Sequence, residues 1–211
     1  MINPPRIFLC SYRPLVESKL GQEAIRNHKL KPFADASCRR EPDFESKHPS
    51  ISALCRKEFF APRLREGSKV VYITRKGEYP GMVERHWRLV AILEVVETFL
   101  NHSDAAEWYR QNGEPLPSNC MVHGNPPMPL EMTDRFHSDL KHWDAIYRLR
   151  AMSCGIFHVC KSLHTDLENP PPITEKMMRE IFGTIPATRN PPSINATAFD
   201  KLVRIALRAV K

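Results

Sequence analysis

The sequence predicts an α+β protein. Two β-rich runs, Lys69 to Thr74 (KVVYIT) and His86 to Phe99, flank a connector that holds Gly77, Pro80 and Gly81. That arrangement predicts an antiparallel pair. Helical segments with marked ends follow. Ser103 precedes Asp104 and Glu107 before Gly113 closes the run, and Thr174 opens another segment through Phe182. A capping hydroxyl, early acids and a terminal glycine are the expected boundaries of a helix. Nineteen prolines, many of them paired, predict short elements on stiff connections.

The remaining elements follow in chain order. Arg6 to Tyr12 (RIFLCSY) lies between prolines and reads as the first strand. Leu15 to His28 has helical character, with Gly21 in its middle. Lys31 to Pro49 is polar, charged and irregular, which suits a functional or poorly ordered loop. Ser50 to Cys55 fits a short helix or strand. The strand from His86 should bend near Glu94. Pro115 to Pro129 is a loop with five prolines. Asp134 to Met152 is helical by spacing, with Leu140, Trp143, Ile146, Tyr147 and Met152 on one side. Gly155 to Leu163 reads as a strand. Thr197, with Asp200 three residues on, opens a last helix that runs to Lys211.

Composition narrows the function. The 211 residues carry 31 Lys+Arg against 24 Asp+Glu, a net +7, which makes a polyanion a natural partner. The most apolar stretch, Leu89 to Leu100, holds Glu94 and Glu97 and is too short to span a bilayer. No secretory leader precedes Arg6, so a cytoplasmic location and six reduced cysteines are expected. Eight glycines and no phosphate-cradling loop exclude P-loop nucleotide hydrolysis.

Four groupings could carry chemistry. Between Cys38 and His48, Pro42-Asp43 and Glu45-x-Lys47 suggest a metal-dependent nuclease, but such sites draw their carboxylates from different strands, and these two are two residues apart. Cys120, His123, Cys154, His158, Cys160 and His164 are zinc-ligand types, yet no Cys-x2-Cys pair occurs. No metal and no cofactor are therefore expected. Arg56 to Arg88 holds nine Lys/Arg against four acids, a net +5, interleaved with Phe59, Phe60, Tyr72, Tyr79 and Trp87. Phosphate contact plus base stacking needs that mixture, and a basic hairpin with core aromatics would give it too. In the last helix Lys201, Arg204, Arg208 and Lys211 form one stripe opposite the apolar side. It is either a solvated face or a row of phosphate contacts.

Three passages occur in a telling order: Arg6 to Tyr12, then Cys38-Arg-Arg-Glu-Pro42, then Phe60 to Thr74 with Gly67-Ser68 at its turn. Trp87 to Val96 (WRLVAILEVV) and the Ser-Asp-Ala-Ala helix follow. Together they resemble the PUA-like superfamily, with its ASCH, EVE and YTH domains, and within it the nucleotide-modification-associated domains of bacteria and phages. Ser68 stands where that turn usually carries aspartate. The resemblance covers about residues 6 to 125. It implies a small, strongly curved β-barrel whose cleft accepts one base, often a modified one, and work beside base-modification or restriction enzymes. By position the cleft would use Tyr12, Cys38, Arg39, Arg40, Tyr72, Thr74, Arg75 and Trp87, with Asn119 and Asn125 able to pair with a base edge.

The expectation is thus a PUA-like base-recognition domain over residues 1–130 and a C-terminal helical extension over 131–211. Its partner would be nucleic acid, DNA foremost. Binding is favoured over catalysis. The alternative is an enzyme acting on a modified base or nucleoside, with Cys38 as nucleophile or Asp43 and Glu45 as acid and base. An accessory protein using the basic C-terminal helix is a third reading.

Overall fold

A computed structural model describes residues 5–56, 59–135 and 139–208, the last of them by its backbone alone. Five α-helices and a mixed sheet alternate along the described chain. The strands are β1 (Ile7–Tyr12), β2 (Ser50–Ser52), β3 (Lys69–Thr74), β4 (Trp87–Phe99), β5 (Phe157–Thr165), β6 (Pro172–Ile173) and β7 (Ser193–Ile194). They form one seven-stranded sheet in the order β2-β5-β4-β3-β1-β7, with β6 paired to β4. β1 runs parallel to β3 in register Ile7 to Lys69, and the other pairs are antiparallel. Among the described residues no ladder joins β2 to β7. The sheet is therefore open along this path, where the resemblance implied a closed barrel.

The expected β3–β4 pair is present, and its connector is closed by a bridge between Gly77 and His86. The expected bend near Glu94 falls where the ladder is irregular. The β4–β5 register slips between Ile92 and Leu93 and again between Val95 and Glu97, so bulges flank Glu94 on either side. Residues beyond 130 supply β5, β6 and β7 to the same sheet, and β5 lies between β2 and β4.

Strand alternation sorts side chains onto two faces. Phe8, Cys10 and Tyr12 of β1 join Val70 and Tyr72 of β3 in one core cluster, together with Phe33, Phe44 and Phe60. Leu9, Val71 and Ile73 point the other way, against Met178, Leu202 and Ala206. Those last three lie on α4 (Glu175–Phe182) and α5 (Ala196–Arg208), which cover that face. Each buried Leu, Val or Phe contributes roughly 1.5–3 kcal/mol. α2 (His102–Gln111) packs Ala105, Ala106 and Tyr109 on Phe157 and Val159. α3 (Leu140–Ser153) sets Tyr147 against Cys38, Leu54 and Leu130.

Several boundaries differ from the sequence reading. Asn101, not Ser103, caps α2, its side chain accepting from the Asp104 amide at 2.8 Å. Asn195 does the same for α5, accepting from Ala198 N, so that helix starts one residue before Thr197. α3 begins at Leu140 behind an Asp139 cap, and Met152, expected on the packed side, is 82% exposed. Thr174 caps α4 as expected, accepting from Met177 N at 3.2 Å. Among the described residues no helix is long and apolar enough to cross a membrane.

The largest correction concerns residues 31–49. The segment is irregular, as expected, but most of it is buried, with Lys31, Glu45 and Lys47 exposed. Phe33, Ala34, Asp35, Ala36, Cys38, Arg39, Arg40, Glu41, Asp43 and Phe44 all lie inside. Backbone and side-chain partners from distant segments satisfy its charges, so it fills the space over one sheet face instead of standing in solvent.

Gly21 gives a local test. It follows a 3-10 turn at Leu15–Glu17 and opens α1 (Lys19–His28) behind the Ser18 cap. A Cβ there would lie 1.9 Å from the Leu15 carbonyl oxygen. Helix propensity alone makes Gly→Ala stabilising by about 1 kcal/mol. Gly21→Ala should instead lower stability by more than about 1 kcal/mol in urea unfolding. Unchanged or raised stability would contradict this packing.

Candidate nucleic-acid interface

The candidate site is a cleft of about 660 Å3 between the end of β1, the segment 35–42, the chain after β2, and α3. Among the described residues six aromatic rings line it: Tyr12, Phe59, Phe60, Tyr72, Trp143 and Tyr147. Five arginines reach it: Arg13, Arg56, Arg75, Arg135 and Arg150. Its acids among the described residues are Asp35, Glu41 and Asp134.

Most of these side chains are held by definite partners. Tyr12 and Tyr72 end up in the cleft wall because alternation places Cys10, Tyr12 and Tyr72 on the same sheet face. The Tyr12 hydroxyl donates to the Phe33 carbonyl at 2.5 Å. Tyr72 packs edge-on against Tyr12 and Phe44, and among the described residues its hydroxyl has no hydrogen-bond partner. Arg75 pairs with Glu17 at 2.5 Å and is half exposed. Arg13 pairs with Asp134 at 2.7 Å, and Arg135 lies 4.6 Å over the Trp143 ring. Arg56, itself at a left-handed φ of 64°, donates to the carbonyls of Ser11, Thr188 and Arg189.

The floor of the cleft carries unusual carboxyls. Glu41 accepts from Ser52 N and Oγ at 2.9 and 2.5 Å and from Asn119 Nδ2 at 2.9 Å. Burial outweighs those donors and pushes its pKa up to about 8. Asp35 accepts from Ser37 N, Ser37 Oγ and Glu41 N, and burial lifts it to about 6. Burial also holds the Cys10 thiol up at about 12, which leaves it protonated and inert.

Of the residues expected to bind, Tyr12, Tyr72 and Arg75 line the cleft. The others stand elsewhere. Arg39 is fully buried, pairing with Asp144 at 2.5 Å and donating to the Ser118 and Asn125 carbonyls. Arg40 is buried, with a left-handed φ of 33°, and donates to the carbonyls of Asp35, Ser37 and Met132. Neither guanidinium is turned to a ligand, because each is consumed in holding the chain. Thr74 accepts from Arg88 N at 2.9 Å beneath the sheet end. Trp87 is buried on the opposite face, in the cluster with residues of α4 and α5, and does not line this cleft. Asn119 is buried between Glu41 and Ser50, and Asn125 donates to the Pro117 and Cys120 carbonyls.

The residues proposed for catalysis also stand outside this cleft. Cys38 is buried against Leu54 and Tyr147, with its thiol pushed up to about 11. Asp43 is fastened to the amides of Glu45, Ser46 and Ser118. Glu45 sits 3.7 Å from the Arg40 guanidinium. None of the three lines the cleft. In the zinc-type grouping His158 Nε2 donates to the Ala61 carbonyl and Nδ1 accepts from the Thr98 hydroxyl. Among the described residues no three His, Cys, Asp or Glu are placed to hold a metal ion. Lys201 and Arg204 are exposed on α5, with Lys201 donating to the Glu180 carbonyl. The Arg208 side chain and Lys211 lie outside the described residues.

Sequence reasoning missed Asp35, Glu41, Arg56, Arg150 and the Trp143–Tyr147 wall as parts of one cleft. The dense charge of 31–49 marked the right segment, and Glu41 sits within the Cys38–Pro42 passage. Choosing Arg39 and Arg40 from it favoured the residues that serve folding.

No family model matches the chain, and no curated protein matches its sequence. A crystal structure of ASCH from Zymomonas mobilis is similar at 9% identity over 95% of each chain, with a TM-score of 0.39. So loose a likeness carries no inference, and the cleft is read from its own residues.

Two outcomes follow. Arg39→Met leaves Asp144 with Arg148 alone and strands two carbonyls, so it should cost about 2–6 kcal/mol in urea unfolding. A loss within about 0.5 kcal/mol would contradict the clamp. Glu41 has its folded pKa raised from 4.5 to about 8, so its contribution is full below 4.5 and fades as pH rises towards 8. His102 and His158 are lowered from 6.5 to about 4 by burial, and their opposing effect is spent above 6.5. Between pH 6.5 and 8 the melting temperature should therefore fall, and Glu41→Gln should flatten that slope. Parallel pH profiles for the two proteins would contradict the assignment.

Proposed function

We propose that the chain binds nucleic acid and holds one base, a modified DNA base foremost, in this cleft. The observation that carries the reading is the meeting of aromatic walls and arginines in a single cavity of about 660 Å3. Volumes of about 300–1,000 Å3 take small ligands. Aromatic rings stack on a base and guanidiniums meet phosphate or a base edge, so the lining suits a base that has left its helix. The Tyr72 hydroxyl, unpartnered in the wall, is the donor or acceptor assigned to the base edge. In this reading residues 1–130 form a PUA-like base-recognition unit, and 131–211 add the wall of Trp143, Tyr147 and Arg150. Lys201 and Arg204, continued in sequence by Arg208 and Lys211, would track backbone phosphates. The protein would work in the cytosol beside base-modification or restriction enzymes.

A second reading, turnover of a modified base or nucleoside, is favoured by Glu41 and Asp35. Two cleft carboxyls titrating near neutrality suit acid–base chemistry. Mass spectrometry of modified nucleosides incubated with the protein separates the readings. Product that disappears in Glu41→Gln would establish turnover.

Fluorescence anisotropy tests the binding reading. Oligonucleotides should bind with an affinity that falls steeply with salt, and one modified base should be preferred over its plain form. Tyr72→Phe should erode that preference several-fold while keeping the ring, and Arg75→Ala should weaken binding. Trp87→Ala should lower stability and leave the preference intact. Replacing Lys201, Arg204, Arg208 and Lys211 with glutamine should shrink the salt slope by up to about 0.9 per lost duplex contact and weaken both ligands alike. No binding to any single- or double-stranded DNA or RNA at low salt would refute the reading.

A further inference from the structure

Charge in the cleft is unevenly paired. Arg13 is matched by Asp134, which Arg135 also approaches at 3.3 Å, and Arg75 is matched by Glu17. Among the described residues Arg56 and Arg150 have no carboxylate partner. Each is fixed by carbonyls: Arg56 by Ser11, Thr188 and Arg189, and Arg150 by Leu54 at 2.8 Å. Both arginines line the cleft, and the charges of both act on Cys55, which lines it too. Anchoring leaves donors over. Arg56 also meets the Cys10 thiol, and the Arg150 Nε and Nη2 have no protein acceptor among the described residues.

The remaining acids among the described cleft residues have other partners. Asp35 is occupied by Ser37 and by the Glu41 amide, and Glu41 by Ser52 and Asn119. Burial raises both, so that at pH 7 Glu41, at about 8, is largely neutral and Asp35, at about 6, is largely ionised. Two rigidly held, unmatched guanidiniums beside aromatic walls therefore form an anion subsite next to a base subsite.

We infer that the cleft takes a nucleotide carrying a terminal phosphate monoester, with the phosphate on Arg56 and Arg150. Two positive charges match the dianion of a monoester, whereas an internal phosphodiester carries one negative charge. The inference rests on the base-binding reading and narrows it to a free nucleoside monophosphate or the phosphorylated end of a strand.

The test takes whichever base binds best in the oligonucleotide panel and compares it as nucleoside and as 5′-monophosphate by titration calorimetry. The monophosphate should bind about tenfold more tightly or better. Arg150→Gln should bring that ratio near one. Arg110→Gln, an exposed change on α2, should leave the ratio unchanged. Phosphorus NMR on the unmodified protein supplies a measurement that does not depend on a variant folding. The second phosphate pKa, about 6 in solution, should drop on binding because both guanidiniums favour the dianion. Oligonucleotides with and without a terminal phosphate identify the source: a preference for the phosphorylated end points to strand termini, and its absence to free nucleotide. Equal affinity for nucleoside and monophosphate, with an unshifted phosphate pKa, would overturn the inference and leave base recognition standing. No binding of oligonucleotide, nucleoside or monophosphate would overturn both.

Discussion

The structure depends on a pair of buried arginines in a segment without regular structure. Arg39 and Arg40 lie in the buried stretch 33–44, and between them they reach Asp144, the Ser118 and Asn125 carbonyls, and the Met132 carbonyl. These contacts join positions 79 to 105 residues apart. A segment outside helix and sheet cannot satisfy its own backbone, and carbonyls left inside without donors would each cost on the order of 1–3 kcal/mol. Guanidiniums, with five donors each, answer several carbonyls at once.

The cleft is a consequence of that clamp. Fixing 35–42 over the β1–β3 face leaves Asp35 and Glu41 at the floor, with Tyr12 and Tyr72 rising from the sheet beside them. The same clamp draws in α3 through Asp144, which sets Trp143 and Tyr147 across from the strands. Folding and binding thus divide the arginines between them. Arg39 and Arg40 are spent inside, and Arg56, Arg75 and Arg150 remain where a ligand can reach them.

The strands were legible because their signals are local. KVVYIT and the run from Trp87 are dense in β-branched and aromatic residues, and the Gly77–His86 bridge closes a connector rich in turn residues. Thr174 likewise announces α4 within three residues. Burial of 31–49 was not legible, since composition marks it as polar and only long-range partners make its interior position tolerable. The cap at Asn101 was missed because Ser103 is an equally good capping type, and hydrogen bonding alone decides between them. For the site, Tyr12, Tyr72 and Arg75 follow from strand ends and alternation. Arg150 carries no sequence signal at all: its place in the cleft comes from how α3 packs against Leu54.

The central claim is that one cleft, built on the clamped segment, receives the base. Amide hydrogen exchange with and without a bound oligonucleotide tests it most directly. The account predicts added protection in residues 11–13, 35–42 and 54–56, with Tyr72→Ala abolishing it. Protection confined to α5, or spread over the sheet face that packs α4, with 35–42 unchanged, would contradict it.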